Sequence, residues 1–227
     1  AMTVPVIAQV VSKHNVNVTI LTKKAFVPLF AELKNVSIIC PDLKEKHKGI
    51  IGMWRLFREI KKIQKWDAVI DIHDVLRTKA LDLFFSISGT PVTIIKKDRS
   101  GRKGLTRKRN KKLRLLSVIQ DEYTQTFAKA GFPVSVIPYS IYSKEDNLPD
   151  ELVKITGEKT QKWIGIAPFA KHQSKIYPLE KMEKIIEYFS TKTNFKVFLY
   201  GGGKYESEQL NCWQEKYKNV FSLAGKI

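Results

Sequence analysis

Cysteine is nearly missing from this sequence: Cys40 and Cys212 are the only two among 227 residues. Both stand in strand-like or helix-like text, so neither a disulfide framework nor a zinc site is indicated, and a reducing cytosol is the expected compartment. Histidine is sparse too; His14, His47 and His172 have no metal-type spacing to partners, so no metal site and no cofactor are expected. Long apolar runs are missing as well. None approaches the roughly 20 residues that cross a bilayer, and Ala1 to Val11 lacks the basic n-region of a secretory signal. Any membrane contact should therefore be peripheral. Acids are in short supply, 22 against 40 Lys and Arg, for a formal charge of +18. That balance points to an anionic partner such as nucleic acid, a phosphorylated glycolipid or a membrane surface.

What is present is enough apolar material for a globular core, 43% of residues, in one large domain or two modest ones. The positive charge is local. Residues 96 to 114 hold eleven Lys or Arg and one Asp, so the rest of the chain, with 29 basic and 21 acidic residues, is only mildly basic. Lys96 to Lys112 contains Gly101, Gly104 and little apolar text, which predicts a mobile loop.

Elsewhere strands and helices alternate, the pattern of an α/β architecture with mainly parallel sheets. Helices are expected at Thr3–Lys13, Lys24–Lys34, around Met53, Leu56, Phe57, Ile60 and Ile63, at His73–Ser88, and at Leu113–Ala130 with Gly131 at its C-terminal cap. Strands are expected at Val16–Leu21, Val36–Cys40, Ala68–Ile72, Val92–Ile95 and Val134–Ile137. Pro138 to Lys162 is polar and turn-rich and reads as a linker before a second β/α series.

In that second series Trp163–Ala167 is a short buried strand bounded by Pro168, and Pro178 opens a helix along Leu179, Met182, Ile185, Ile186 and Phe189. Lys171, His172, Gln173, Ser174 and Lys175 lie between them, near a helix N-terminus that favours anions. A second strand, Lys196–Tyr200, runs into Gly201, Gly202 and Gly203, where backbone can approach a ligand closely. The plainer readings are a solvated lysine at 175, a helix cap at Ser174 and an ordinary turn at the glycines.

Four stretches, AVIDIHDVLRTK (68–79), APFAKHQSKIYP (167–178), VFLYGGG (197–203) and LAGKI (223–227), together resemble glycosyltransferase family 9, the ADP-heptose:lipopolysaccharide heptosyltransferases. Pro168, Ala170, Lys175 and Pro178 match that family's loop, whereas Phe169 replaces its Gly and Tyr177 its Trp. The resemblance implies an α/β fold of GT-B type, with two Rossmann-like domains and mainly parallel sheets. Residues 1–140 would be the acceptor-side domain without its first strand, 141–161 the linker, and 162–227 part of the nucleotide-sugar domain. It implies inverting transfer of heptose from ADP-heptose to an anionic lipopolysaccharide inner-core acceptor, without an obligatory metal. The general-base Asp is expected before Ala1 and a nucleotide-sugar motif after Ile227, so the chain holds no catalytic residue and is expected to be inactive alone.

On the same resemblance, Lys171, Ser174, Lys175, Gly201, Gly202 and Gly203 would bind the donor. His73, Arg77, Arg99, Arg102 and Lys103 would bind the acceptor. Asp71 is expected to orient backbone amides and Asp74 to cap the following helix. The implied partners are a nucleotide sugar and an anionic glycolipid, with peripheral contact at the inner membrane. Two other functions compete. A basic nucleic-acid-binding module would use residues 96–114, but Lys96 to Leu113 has no interleaved aromatics, and nucleic acid is not expected as a partner. A non-catalytic homologue would keep only sugar-nucleotide binding.

Overall fold

The computed structural model describes residues 2–135 and 150–226. The chain divides into two compact units, Ala1–Lys144 and Glu145–Ile227.

The first unit opens with helix α1 (Val4–His14), which has Pro5 in its first turn and ends at Asn15 in the left-handed conformation. Val4, Val6, Ile7, Val10 and Val11 are buried, the three-and-four spacing that puts an apolar stripe on one side of a helix. Strands β1 (Val18–Leu21) and β2 (Val36–Ile39) pair in parallel, Val18 opposite Val36. The connection between them is a short 3-10 helix, Lys24–Phe30, with Pro28 inside it, rather than the α-helix expected through Lys34. Proline has no N–H to donate and crowds the preceding turn, which stops an α-helix from forming there.

Helix α2 (Gly49–Ile63) buries Gly52, Met53, Leu56, Phe57 and Ile60. Strand β3 (Val69–Asp71), helix α3 (Leu76–Ile87) and strand β4 (Val92–Ile94) follow, with β3 and β4 parallel. Met53, Leu56, Phe57 and Ile60 pack with Leu81 and Phe85 of α3 in one core. The α1 core takes in Val18 and Ile20 beside β2, and Ile70 and Ile72 beside β4. Among the described residues the four strands of this unit thus form two separate two-stranded sheets.

The basic segment departs from expectation. Arg99–Thr106 is a helix, α4, and the Asp98 carboxylate accepts from the Gly101 N–H at 2.9 Å as its N-terminal cap. Gly101 and Gly104 are buried, and a Cβ at Gly101 would collide with the side chains of Asp98, Arg114 and Leu116. Gly101 therefore serves close packing, and neither glycine opens a loop. Helix α5 covers Ile119–Lys129, shorter than expected, because residues 113–118 run as irregular chain along α4. Gly131 follows with φ +92°, as a residue past a helix end requires. Val134 and Ser135 are not in a strand, and the other half of that expected strand, like linker residues 141–149, lies outside the described residues.

In the second unit, helix α6 (Asp150–Thr156) occupies part of the expected linker. Strands β5 (Lys162–Ile166), β6 (Phe195–Leu199) and β7 (Val220–Ser222) form a parallel sheet in that order. Helices α7 (Leu179–Ser190) and α8 (Lys204–Lys216) connect them. Ile186, Val197, Leu199, Leu210, Trp213 and Val220 form the core between sheet and helices. Since β5 and β6 are parallel, the segments leaving their C-terminal ends emerge along one edge of the sheet.

Candidate functional site

In the first unit the site grows from the C-terminal end of β3. Asp71 is buried, and its Oδ1 accepts the His73 N–H at 2.7 Å and the Asp74 N–H at 3.0 Å, with Oδ2 also 3.0 Å from the latter. This turn carries the chain into a left-handed conformation at Asp74, φ +45°. The expected capping role of Asp74 is not what its side chain does. The Thr78 hydroxyl accepts from the Val75 N–H at 2.9 Å, while the Asp74 carboxylate pairs with Arg99 at 2.6 Å and Lys79 at 3.6 Å. Arg99 also donates to the Asp74 carbonyl at 2.7 Å, and Lys97 donates to the His73 carbonyl. The segment after β4 is thereby fastened to the segment after β3.

The result is a cavity of about 640 Å³ lined by His73, Asp74, Val75, Leu76, Arg77, Lys79 and Arg99. Three of the residues assigned to the acceptor, His73, Arg77 and Arg99, meet here. Arg102 and Lys103 do not line it; Arg102 lies 3.9 Å from the buried carboxylate of Glu122. Three cations against one carboxylate suit an anionic group, and a guanidinium is shaped to hold carboxylate or phosphate with two hydrogen bonds.

Beneath this turn lies a residue that the sequence reading missed. Asp82 in α3 is buried, its Oδ2 without a hydrogen-bond partner. Its carboxyl is pushed up to about 7 by burial, then by the charge of Asp71 and a hydrogen bond to it, with Asp74 adding and Lys79 opposing. Two carboxyls so close cannot both ionise at low cost. A protonated Asp82 is a donor for Asp71, which already accepts two amides. The available signal was an Asp beside Leu81 and three before Phe85, on the stripe that faces the core.

In the second unit the two loops read as donor-side do share the C-terminal edge of β5 and β6. The Tyr200 N–H donates to the Ile166 carbonyl at 2.8 Å, and the rings of Phe169 and Tyr205 meet edge to face at 6.2 Å. Lys171, Ser174 and Lys175 are exposed. Gln173–Lys175 is a single 3-10 turn, with the Lys175 N–H donating to His172 at 2.9 Å. Helix α7 begins only at Leu179, with Pro178 at its cap, so Ser174 is not a helix cap and the lysines stand four and eight residues before the helix.

Gly203 caps α8 at φ +84°. Gly201 is glycine for another reason: a Cβ there would come within 2.8 Å of Leu210 and 3.1 Å of Glu206. Glu206 was also missed. Its Oε2 accepts the Gly202 N–H at 2.8 Å, so a carboxylate already occupies one of the amides the glycine loop presents. The spacing Gly203 to Glu206, a cap and an acid three residues on, was the available signal. A separate cavity of about 810 Å³, lined by Lys159, Lys162, Trp163 and Phe195 among others, lies at the opposite end of β5 and β6.

The model of glycosyltransferase family 9 (heptosyltransferase) matches residues 53–227. A family 9 glycosyl transferase from Veillonella parvula DSM 2008 is similar over 100% of this chain and 66% of its own, with TM-score 0.68 and 19% identity. The E. coli heptosyltransferase WaaC with ADP is similar over 98% of this chain and 70% of its own, with TM-score 0.63 and 16% identity. The E. coli ADP-heptose lps heptosyltransferase II is similar over 100% of this chain and 69% of its own, with TM-score 0.63 and 14% identity. No curated protein matches by sequence. The chain thus spans about two thirds of the length of these solved structures and shares their α/β fold, of GT-B type with parallel strands.

Proposed function

The chain belongs to glycosyltransferase family 9, the heptosyltransferase family, and from that premise we propose that it is part of an enzyme transferring heptose from ADP-heptose to an anionic lipopolysaccharide inner-core acceptor. The observation that carries this reading is the pairing of two loops, Pro168–Pro178 and Gly201–Gly203, at neighbouring parallel strand ends inside the matched span. Residues 162–227 are the nucleotide-sugar side in this reading and 1–140 the acceptor side. Lys175, Ser174 and Lys171 hold the donor diphosphate, and Gly201 to Gly203 line the nucleotide. His73, Arg77 and Arg99 receive the acceptor's negative groups, with Arg102 and Lys103 reinforcing the local positive field.

The reaction inverts the anomeric centre. A carboxylate base takes the proton of the acceptor hydroxyl as its oxygen attacks the anomeric carbon. The bond from that carbon to the diphosphate oxygen breaks, and ADP leaves with the charge. The cations of the Lys171–Lys175 loop stabilise that developing charge, so no metal is required. The work takes place on the cytoplasmic side of the inner membrane. Because the solved relatives are longer, the 227-residue chain alone is proposed to bind donor without turning it over.

The test is transfer of heptose from ADP-heptose to a truncated lipopolysaccharide core by the full-length gene product, with and without EDTA. Lys175→Ala should lower kcat/KM on the order of 100-fold, the usual effect of removing one group that stabilises transition-state charge. No turnover with any nucleotide sugar would sink the proposal.

A further inference from the structure

Residues 107–118, RKRNKKLRLLSV, contain six Lys or Arg and no acid. They also present Leu113 and Leu115, which are 84% and 98% exposed, with Val118 at 58%. A lone exposed leucine needs no explanation. These leucines are different because the residues between and around them are fastened down. The Lys112 N–H donates to the Gly104 carbonyl at 3.1 Å, Arg114 pairs with the Asp98 carboxylate, Leu116 sits against Gly101, and the Ser117 hydroxyl donates to Glu122 at 2.7 Å. Arg114 and Leu116 take the inner side of an extended chain, so Leu113 and Leu115 are held on the outer side.

Apolar side chains fixed in water among Lys111, Lys112 and Arg114 match one kind of surface closely. At a bilayer interface, headgroup phosphates pair with the cations while leucines enter the boundary with the acyl chains. Single-stranded nucleic acid would instead be met by aromatic rings on which bases stack, and residues 107–118 contain none.

We propose that residues 107–118 are an interfacial anchor that seats this chain on an anionic bilayer, the cations binding headgroups and Leu113 and Leu115 inserting. The anchor does not depend on sugar transfer, and it is tested on vesicles that contain no sugar acceptor. In flotation with mixed phosphatidylglycerol and phosphatidylcholine vesicles, the 227-residue chain should rise with the lipid, and with phosphatidylcholine alone it should not. Leu113→Ser/Leu115→Ser should weaken flotation about tenfold or more, from the loss of two buried alkyl groups, with an unchanged melting temperature and unchanged retention on a single-stranded RNA oligonucleotide. Replacing Lys108, Arg109, Lys111 and Lys112 with Gln should weaken it roughly fivefold per charge. No flotation on anionic vesicles at low salt, or flotation that the leucine variant keeps, overturns the anchor. RNA retention that falls with the leucine variant as far as flotation does marks a nucleic-acid surface instead and also overturns it.

Discussion

In the first unit, two of the cations beside the cavity are already engaged: Arg99 with both the side chain and carbonyl of Asp74, and Lys97 with the carbonyl of His73. In the second, Lys171 and Lys175 stand exposed, Lys175 ending a 3-10 turn whose backbone bonds are its own and Lys171 lying just before it. One region is built before a ligand arrives, and its cost was met by folding. The other, if it holds the donor as proposed, must order its lysines on binding, and each long side chain loses roughly 0.5–1.5 kcal/mol of rotamer freedom in doing so. A site of the first kind should respond to substitution in stability and in binding together. A site of the second kind should respond in binding alone.

The sharpest way to break that contrast is Asp71→Ala. It leaves the amides of His73 and Asp74 without their acceptor and should destabilise the first unit by about 3 kcal/mol, measured by urea unfolding. A loss below about 1 kcal/mol would mean that the turn is not prebuilt. Lys175→Ala is the counterpart. Unfolding should change by less than about 0.5 kcal/mol, while ADP affinity by calorimetry should fall by at least tenfold, about 1.4 kcal/mol.

The buried carboxyl pair adds a pH signature to the first unit. Asp82 holds its proton up to about 7 in the folded chain against an ordinary 3.8. Between those values the unfolded chain binds fewer protons than the folded one, so this group's contribution to stability falls as pH rises from about 4 to about 7 and is level above that window. Asp82→Asn keeps a donor for Asp71, removes that slope and should make the protein more stable than the parent at pH 8. An unchanged slope in the variant would assign the pH dependence elsewhere. The smallest expected effect belongs to the second unit. Glu206→Gln keeps an acceptor for the Gly202 N–H and removes a negative charge from the donor side, so ADP should bind about two- to fivefold more tightly at low salt. Weaker binding would instead give the Glu206 charge a direct part in holding the nucleotide.

The sequence was readable where one force dominates. The apolar spacing of Met53, Leu56, Phe57 and Ile60 was enough to place α2 and its buried face, and short apolar runs ending in polar text marked β5 and β6. It misled where local composition and tertiary contact disagree. Gly101, Gly104 and dense positive charge read as a loop, yet Asp98 caps a helix there and Gly101 admits Arg114 and Leu116. Lys24–Lys34 carried helical spacing, but Pro28 limits it to a 3-10 helix. At the candidate sites, residue types with obvious chemistry could be named in advance. The two acids that support or compete with them, Asp82 and Glu206, act through contacts that spacing only hints at. Which cations share a space also required coordinates: Arg77 and Arg99 are 22 positions apart and line one cavity, whereas Arg102, nearer to Arg99 in sequence, faces Glu122.

In the proposed reading, the pairing of Arg99 with Asp74 turns anion capture in this cavity into an exchange of partners. An incoming phosphate or carboxylate meets a guanidinium that already has a counter-charge 2.6 Å away, so it must displace that carboxylate rather than settle beside a bare cation. The net change in ion pairing is then smaller than a count of Arg77, Lys79 and Arg99 implies, and so is the sensitivity to salt. Discrimination shifts from total charge to geometry, favouring ligands that offer Arg99 two well-placed oxygens in place of the one carboxylate they evict.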